Sequence, residues 1–314
     1  MVETQVAGEL CRRTIELWEA FGYNMSMNEK RIVLVTGASS GIGKAAAQQL
    51  AKEGCTVYGT SRRGKYETMG PEGASFTLLP MTLENEQTIR DAVQHILDRH
   101  GRIDVLVNAA GSGIAGAIEE TTPEEAYTQF DVCFFGIVRT LNHVLPVMRA
   151  AGSGLVINIG SVASFFTLPF QGMYSAAKSA LYAMTCALRM ELKPFGIHVC
   201  QIEPGDVKTN FTQQRVITEK AKNTSYKVPF KRAVYEMVRS EMAGYAPERC
   251  AKTVSRAVRM KRPPARLCVD VQYKLLGIVS ALLPWSFCEK IIMSMYLKND
   301  PPDGWRMDQP LGGE

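Results

Sequence analysis

A chain of 314 residues, 46% hydrophobic and 21% charged, lies close to the soluble globular average and can bury a substantial core, which excludes gross disorder. A net charge of +5 is too modest to argue for nucleic acid as a partner. Eight scattered cysteines with no C-x-x-C pair and no secretory leader point to a reducing, cytoplasmic setting, and four histidines without ligand spacing give no metal site.

Residues 1–30 interleave Glu9, Arg12, Arg13, Glu16 and Glu19 with Leu10, Ile15, Leu17, Trp18 and Phe21, the pattern of a short amphipathic helix. Strand-like apolar runs then alternate with helix-like ones: RIVLVTG, KAAAQQLAKEG, CTVYGTS, FTLLPM, TIRDAVQHILDRHG and IDVLVNAAG. AYTQFDVCFFGIVRTLNHVLPVMRAAG reads as one long helix, GLVINIGS as a buried strand, YSAAKSALYAMTCALRMELKPFG as a second long helix and IHVCQIEPG as another strand. A last strand is expected in ARLCVDV. Parallel strands need long crossovers, so this alternation predicts an α/β domain. Between Lys208 and Arg266 fifteen Lys and Arg face four Glu, which a solvated face explains most plainly, ahead of a membrane surface or an acidic partner. Near the end, LLGIVSALLPWSFC (Leu275 to Cys288) is too short to span a bilayer and contains Pro284, which is expected to separate two short helices.

Three local patterns carry chemistry. The first strand runs into TGASSGIGKAA, placing Gly37, Gly41 and Gly43 between a strand and a helix. Glycines there let the backbone turn sharply and approach a pyrophosphate, whose charge is met by the helix N-terminus, so nucleotide binding is expected. The second strand ends in GTSRR, where an NAD site offers a carboxylate to the ribose 2′-hydroxyl. Ser61, Arg62 and Arg63 offer none, and Arg62 can pair with a 2′-phosphate, so NADP(H) is expected in preference to NAD. Finally, YSAAK sets Tyr174 and Lys178 four residues apart on one helix face. An ammonium held near a phenol stabilises the phenolate and lowers its pKa from the ordinary value of about 10, which would make Tyr174 a general acid/base.

Taken together and in order, TGASSGIG, NAAG (Asn108 to Gly111), NIGS ending at Ser161, YSAAK and PGDVKT (Pro204 to Thr209) show that the chain resembles the short-chain dehydrogenase/reductase family over roughly residues 30–270. In character it is similar to the hydroxysteroid and retinol dehydrogenase branch, on the strength of the C-terminal stretch SALLPWSFCEKIIMSMYLK. The resemblance implies an α/β fold, a Rossmann-type doubly wound parallel sheet of about seven strands with helices on both faces, over residues 31–271. Terminal helical extensions over 1–30 and 272–314 and a substrate lid over about 208–246 complete the expected layout. It also implies that Ser161 fixes the substrate oxygen, that Tyr174 moves the proton, and that Lys178 lowers the tyrosine pKa and holds the nicotinamide ribose. The cofactor-binding residues carried over are Gly37, Ser39, Ser40, Gly41, Ile42, Gly43, Ser61, Arg62, Thr82, Leu83, Asn108, Ala109, Gly111, Tyr174, Lys178, Pro204, Gly205, Val207 and Thr209.

Two positions depart from the family pattern. Cys133 stands where the family usually has an asparagine supporting a water in the proton relay; its backbone carbonyl can still hold that water, and a small buried residue is the plainer reading. Thr82 stands where an aspartate often lies near the adenine, and its hydroxyl can bond an adenine amino group. The lid carries Phe211, Val216, Ile217, Tyr226, Val228, Phe230, Tyr235 and Met237, which suits a bulky apolar alcohol or ketone such as a steroid, a retinoid or a similar lipid. Two rivals are a 3-oxoacyl-(carrier protein) reductase and a non-catalytic dinucleotide-binding sensor or scaffold. The expected partners are the small apolar substrate and further copies of the chain, as a dimer or tetramer, with the C-terminal arm covering the substrate mouth or a second subunit in preference to a membrane surface.

Overall fold

The computed structural model describes residues 30–63 and 65–306; the helix expected over 1–30, but for Lys30, and the tail beyond residue 306 lie outside the described residues. Five consecutive buried residues form β1 (Ile32–Thr36), and burial on both faces is what a parallel strand between two helical layers requires. The following strands are β2 (Thr56–Ser61), β3 (Glu67–Met69), β4 (Phe76–Pro80), β5 (Val105–Asn108), β6 (Ile114–Ala115), β7 (Gly154–Ile159), β8 (Ile197–Glu203), β9 (Val216–Ile217) and β10 (Arg266–Cys268). The main sheet runs in the order β10-β8-β7-β5-β1-β2-β4-β3, while β6 and β9 form a separate parallel pair.

Seven of those strands are parallel, in agreement with the expected doubly wound sheet. The eighth, β3, pairs antiparallel with β4 at the edge. Apolar periodicity does not mark it, because it is three residues long and mostly exposed, and it follows from the reversal at Gly70 to Ser75.

The helices are α1 (Gly41–Lys52), α2 (Glu86–His100), α3 (Pro123–Phe130), α4 (Gly136–Ala151), α5 (Gly172–Glu191), α6 (Lys227–Ala243), α7 (Pro247–Arg259), α8 (Val271–Leu282) and α9 (Trp285–Tyr296). Alternation along the strands builds two cores. Val33, Val35, Val105, Val107 and Ile157 meet Ala46, Ala47 and Leu50 of α1 and Val254, Ala257 and Val258 of α7. Leu34, Leu106 and Val156 meet Ile89 and Ile96 of α2, Ile137, Leu141 and Val144 of α4 and Leu181 of α5.

The helix expected as one continuous stretch is α3 and α4 joined by a π-helical turn over Asp131–Phe135, with Cys133 at its centre. This stretch, 123–151, is long and apolar enough to cross a bilayer, but Ile137, Leu141, Val144 and Met148 bury one face of it in the sheet core. Pro284 does separate two helices: it is the N-cap of α9, two residues after α8 ends.

Strand order reverses at β1, flanked by β2 on one side and β5 on the other. Ligands of open α/β sheets bind beyond the carboxyl ends of the strands at such a switch point. Thr36, last of β1, is in register with Asn108, last of β5, so the glycine turn and the NAAG segment leave the sheet side by side.

Candidate active site

The glycine turn is shaped for close approach. Gly37 has φ of 69°, and a Cβ there would stand 2.7 Å from the Cα of Ala110. Thr36 ties the two segments together, its hydroxyl accepting from the backbone amides of Ala109 (3.0 Å) and Ala110 (3.1 Å). Ser40, the N-cap of α1, makes no side-chain cap bond, which leaves the first amides of the helix directed outward as an anion site. Thr209 closes the cradle: its side chain lies 3.6 Å from where a Cβ of Gly41 would be. These features fit the pyrophosphate of a dinucleotide.

The second strand ends as expected, with Ser61 buried and Arg62 and Arg63 exposed beside it. The Ser61 hydroxyl accepts from the Arg63 amide at 3.3 Å. Three carried-over residues make hydrogen bonds of their own. Asn108 donates to Asn158 at 2.9 Å, and Asn158 donates to Thr185 at 2.9 Å, so the Asn108 amide nitrogen braces β5 against β7, while its Oδ1 is buried without a partner among the described residues. The Thr82 hydroxyl donates to Glu84, which leaves its oxygen lone pairs to accept from an adenine amino group. Leu83 is buried and its carbonyl accepts from Arg139 at 2.9 Å. In the PGDVKT loop, Pro204 accepts from the Val162 amide at 3.0 Å, the Gly205 amide donates to the Tyr245 hydroxyl at 3.1 Å, and Val207 pairs with Tyr245 in an isolated bridge. That hydrogen-bonding fixes the loop beside the ends of β7 and β8. Gly43 and Ile42 lie in the first turn of α1, and Ser39 in the turn before it.

Ser161 lies beside Tyr174 and Lys178, the group that the family resemblance implies. Ser161 ends the loop after β7, where its hydroxyl accepts from the Ala163 amide at 3.1 Å and is hydrogen-bonded to the Tyr174 hydroxyl. Lys178, one turn along α5, is buried and donates to the Ile159 carbonyl at 2.8 Å. Its Nζ lies 5.8 Å from the centre of the Tyr174 ring. The expected electrostatics are reversed, however. Burial pushes the Tyr174 phenol above the ordinary tyrosine value, and the hydrogen bond from Ser161 only partly offsets it. Burial also lowers the pKa of Lys178, one of whose hydrogens is donated to the Ile159 carbonyl. The neutral phenol that results is suited to donating a proton to a carbonyl oxygen.

Cys133 is fully buried beside this group. Its thiol accepts from the Gln129 amide at 3.0 Å and donates to the Ser112 carbonyl at 3.4 Å, and a Cβ on Gly111 would stand 3.8 Å from both its sulfur and Lys178 Nζ. The thiol is therefore a packed, hydrogen-bonded part of the π turn.

Of the lid residues, Phe230 and Met237 are core side chains, whereas Val216 and Val228 are exposed. Phe211 reaches the chemistry, with its ring centre 5.6 Å from that of Tyr174 and its edge against Gly113, where a Cβ would stand 2.6 Å away. Behind it is a pair that sequence reasoning missed: Arg215, hydrogen-bonded to Glu241 of α6, which also accepts from Thr212 at 2.7 Å. Their only trace in the sequence is a charge pair inside a basic stretch, which reads as solvated surface. A cleft of about 580 Å³ is lined by Asp206, Tyr245, Arg249, Asp270 and Tyr273 and by none of Ser161, Tyr174 and Lys178, so it flanks the site.

The chain is similar to known proteins. A 3-ketodihydrosphingosine reductase of Bacteroides thetaiotaomicron is 41% identical over 249 residues, 79% of this chain and 91% of that protein. Retinol dehydrogenase 8 of Bos taurus is 29% identical over 81% of this chain and 86% of its own length. The crystal structure of a short-chain dehydrogenase from Streptomyces avermitilis superposes with a TM-score of 0.70 at 30% identity, covering 85% of this chain and 98% of that one. Residues 31–220 match the short chain dehydrogenase family, and with the fold, the glycine turn and the Ser161, Tyr174 and Lys178 group already in place, the chain belongs to that family of oxidoreductases.

Proposed function

We propose that this chain is an NADP(H)-dependent reductase of a ketone carried on a long-chain lipid. The observation that carries the reading is the half-buried Tyr174 hydrogen-bonded to Ser161 beside the Phe211 ring: a phenol proton donor facing an apolar wall. The name of the 41% identical relative supports a lipid ketone of the 3-ketodihydrosphingosine kind over a steroid. Arg62, exposed at the end of β2 with no acid beside it, supports NADPH over NADH.

A bound nicotinamide supplies the hydride to the carbonyl carbon. The residues of the glycine turn and the amides of α1 would hold its pyrophosphate, and Arg62 its 2′-phosphate. Ser161 donates a hydrogen bond to the substrate oxygen and fixes it beside the phenol. Tyr174, a phenol already protonated at neutral pH, gives up its proton as charge develops on that oxygen, and desolvation, which raises its pKa, holds the proton in place until then. Lys178, anchored on Ile159, sits one turn away to stabilise the phenolate left behind.

The test is a panel assay with purified protein and NADPH, offering 3-ketodihydrosphingosine, a ketosteroid, retinal and a 3-oxoacyl thioester. Highest kcat/KM on the long-chain ketone is the expected result. Highest kcat/KM on the thioester or the steroid would reassign the substrate, and inertness toward all four would favour a non-catalytic role.

A further inference from the structure

Within the lid, Arg215 is a charged side chain only 2% exposed, and it is not fully paired. One of its terminal nitrogens, Nη2, bonds Glu241, while Nε and Nη1 are buried with no hydrogen-bond acceptor among the described residues. Buried donors left without acceptors are costly, and a charged one the more so, so native structures seldom hold them without a purpose.

Its position supplies one. The Arg215 guanidinium carbon lies 5.9 Å from the centre of the Phe211 ring, the same ring whose centre lies 5.6 Å from Tyr174. The backbone is pinned there as well: Val216 donates to the Gly113 carbonyl at 2.9 Å, and β9 pairs with β6 directly after, so Arg215 enters the site from a strand end and not from a loose loop. Glu241 holds the guanidinium from behind and is itself held by Thr212. Arg215 thus stands one aromatic ring away from the proton donor.

We infer that Arg215 is a specificity residue: its free Nε and Nη1 hydrogens bind an uncharged oxygen, a hydroxyl, carried by the substrate a few bonds from the reacting ketone. The inference rests on the reading of the site as that of a lipid-ketone reductase. Pairing with Glu241 decides the charge of the ligand group. The guanidinium and carboxylate together are neutral, so an anionic substituent would meet the Glu241 carboxylate as well as the arginine, whereas a hydroxyl accepts from the two free N–H groups with no such conflict.

The test uses the full chain with NADP⁺ bound, so that no turnover occurs, and measures Kd by calorimetry for three long-chain probes: a 1-hydroxy-3-ketone, the same 3-ketone without the hydroxyl, and the matching 3-oxo carboxylate. The wild type is expected to bind the hydroxyketone about tenfold or more tightly than the plain ketone, the ratio that a hydrogen bond to a charged group gives. In Arg215→Met and in Arg215→Lys, which keeps a cation for Glu241 but not the fork, that ratio should fall to within about twofold of unity. Melting curves of both variants establish that they are folded, and the wild-type comparison stands without either. Equal affinity of the wild type for hydroxyketone and plain ketone, tighter binding of the carboxylate, or a tenfold ratio kept by both variants would overturn the inference. Turnover with NADPH is read separately. A wild type that discriminates in binding but reduces none of the probes overturns the reductase reading and leaves Arg215 its ligand.

Discussion

At Tyr174 two effects oppose each other: burial holds the phenol protonated, and the hydrogen bond to Ser161 favours its ionisation. Burial is the larger, so the proton-donating form persists well past neutrality. The sign of the pH dependence follows. Reduction needs the protonated phenol, so its rate should stay flat from pH about 6 to about 9 and fall only above the ordinary tyrosine value of about 10. Tyr174→Phe should lower turnover by about a hundredfold or more, with NADPH affinity nearly unchanged, and should lose the alkaline limb of the profile. Cys133 behaves differently. Its thiol is fully enclosed between Gln129 and Ser112, so thiol reagents should leave native activity unchanged through this residue; alkylation of Cys133 in the folded protein, traced by peptide mass, would contradict that burial. The Tyr174 and Lys178 pair was legible because helix spacing is local. The direction of the phenol pKa was not, since it depends on how deeply the surrounding chain buries the group and on Lys178 finding the Ile159 carbonyl.

Secondary-structure elements set what the side chains can reach. At the end of β2 no carboxylate stands beside Arg62, and Arg62→Asp should raise the Michaelis constant for NADPH by a factor of about ten or more and shift preference toward NADH; unchanged preference would move the specificity to the ASSG turn. The C-terminal arm has two faces. Cys288, Ile292 and Tyr296 of α9 are buried, the last two packing on Phe166, Ala233 and Met237, while the Tyr273 hydroxyl of α8 donates to Asp206 at 2.8 Å. Ile292→Ala should therefore cost roughly 2–4 kcal/mol, read as a lower midpoint in denaturant. The opposite face, with Val271 82% and Leu282 79% exposed and Trp285 and Phe287 outward, is too apolar to be left in water without consequence. Truncation after Asp270 should reduce both thermal stability and any binding to liposomes; unchanged stability would mean that the arm does not brace the lid. Legibility differed among the elements. Long apolar runs and Pro284 gave away the strands, the two long helical stretches and the break in the arm. The π turn over Asp131–Phe135 and the edge strand β3 carry no periodic signal, because each is too short and too dependent on its neighbours.

Over the whole molecule, the topology concentrates function at one place. The sheet reverses at β1, so the glycine turn, the NAAG segment, the NIGS loop and the PGDVKT loop all leave the carboxyl edge of adjacent strands. That convergence was readable because each motif sits at the end of a buried strand and parallel order follows from the crossover helices. Contacts within the segment expected as the lid were not. Arg215 and Glu241 meet only because α6 folds back over the loop that follows β8, and their charges are indistinguishable in the sequence from the basic surface around them. We propose that Tyr174 delivers a proton as a long-chain lipid ketone is reduced by NADPH. It is tested most directly by measuring NADPH consumption together with alcohol formed from 3-ketodihydrosphingosine, in the wild type and in Tyr174→Phe. One alcohol per NADPH in the wild type, with both rates reduced about a hundredfold or more in the variant, is the predicted result. No alcohol from the wild type, or equal rates in the two proteins, would contradict it.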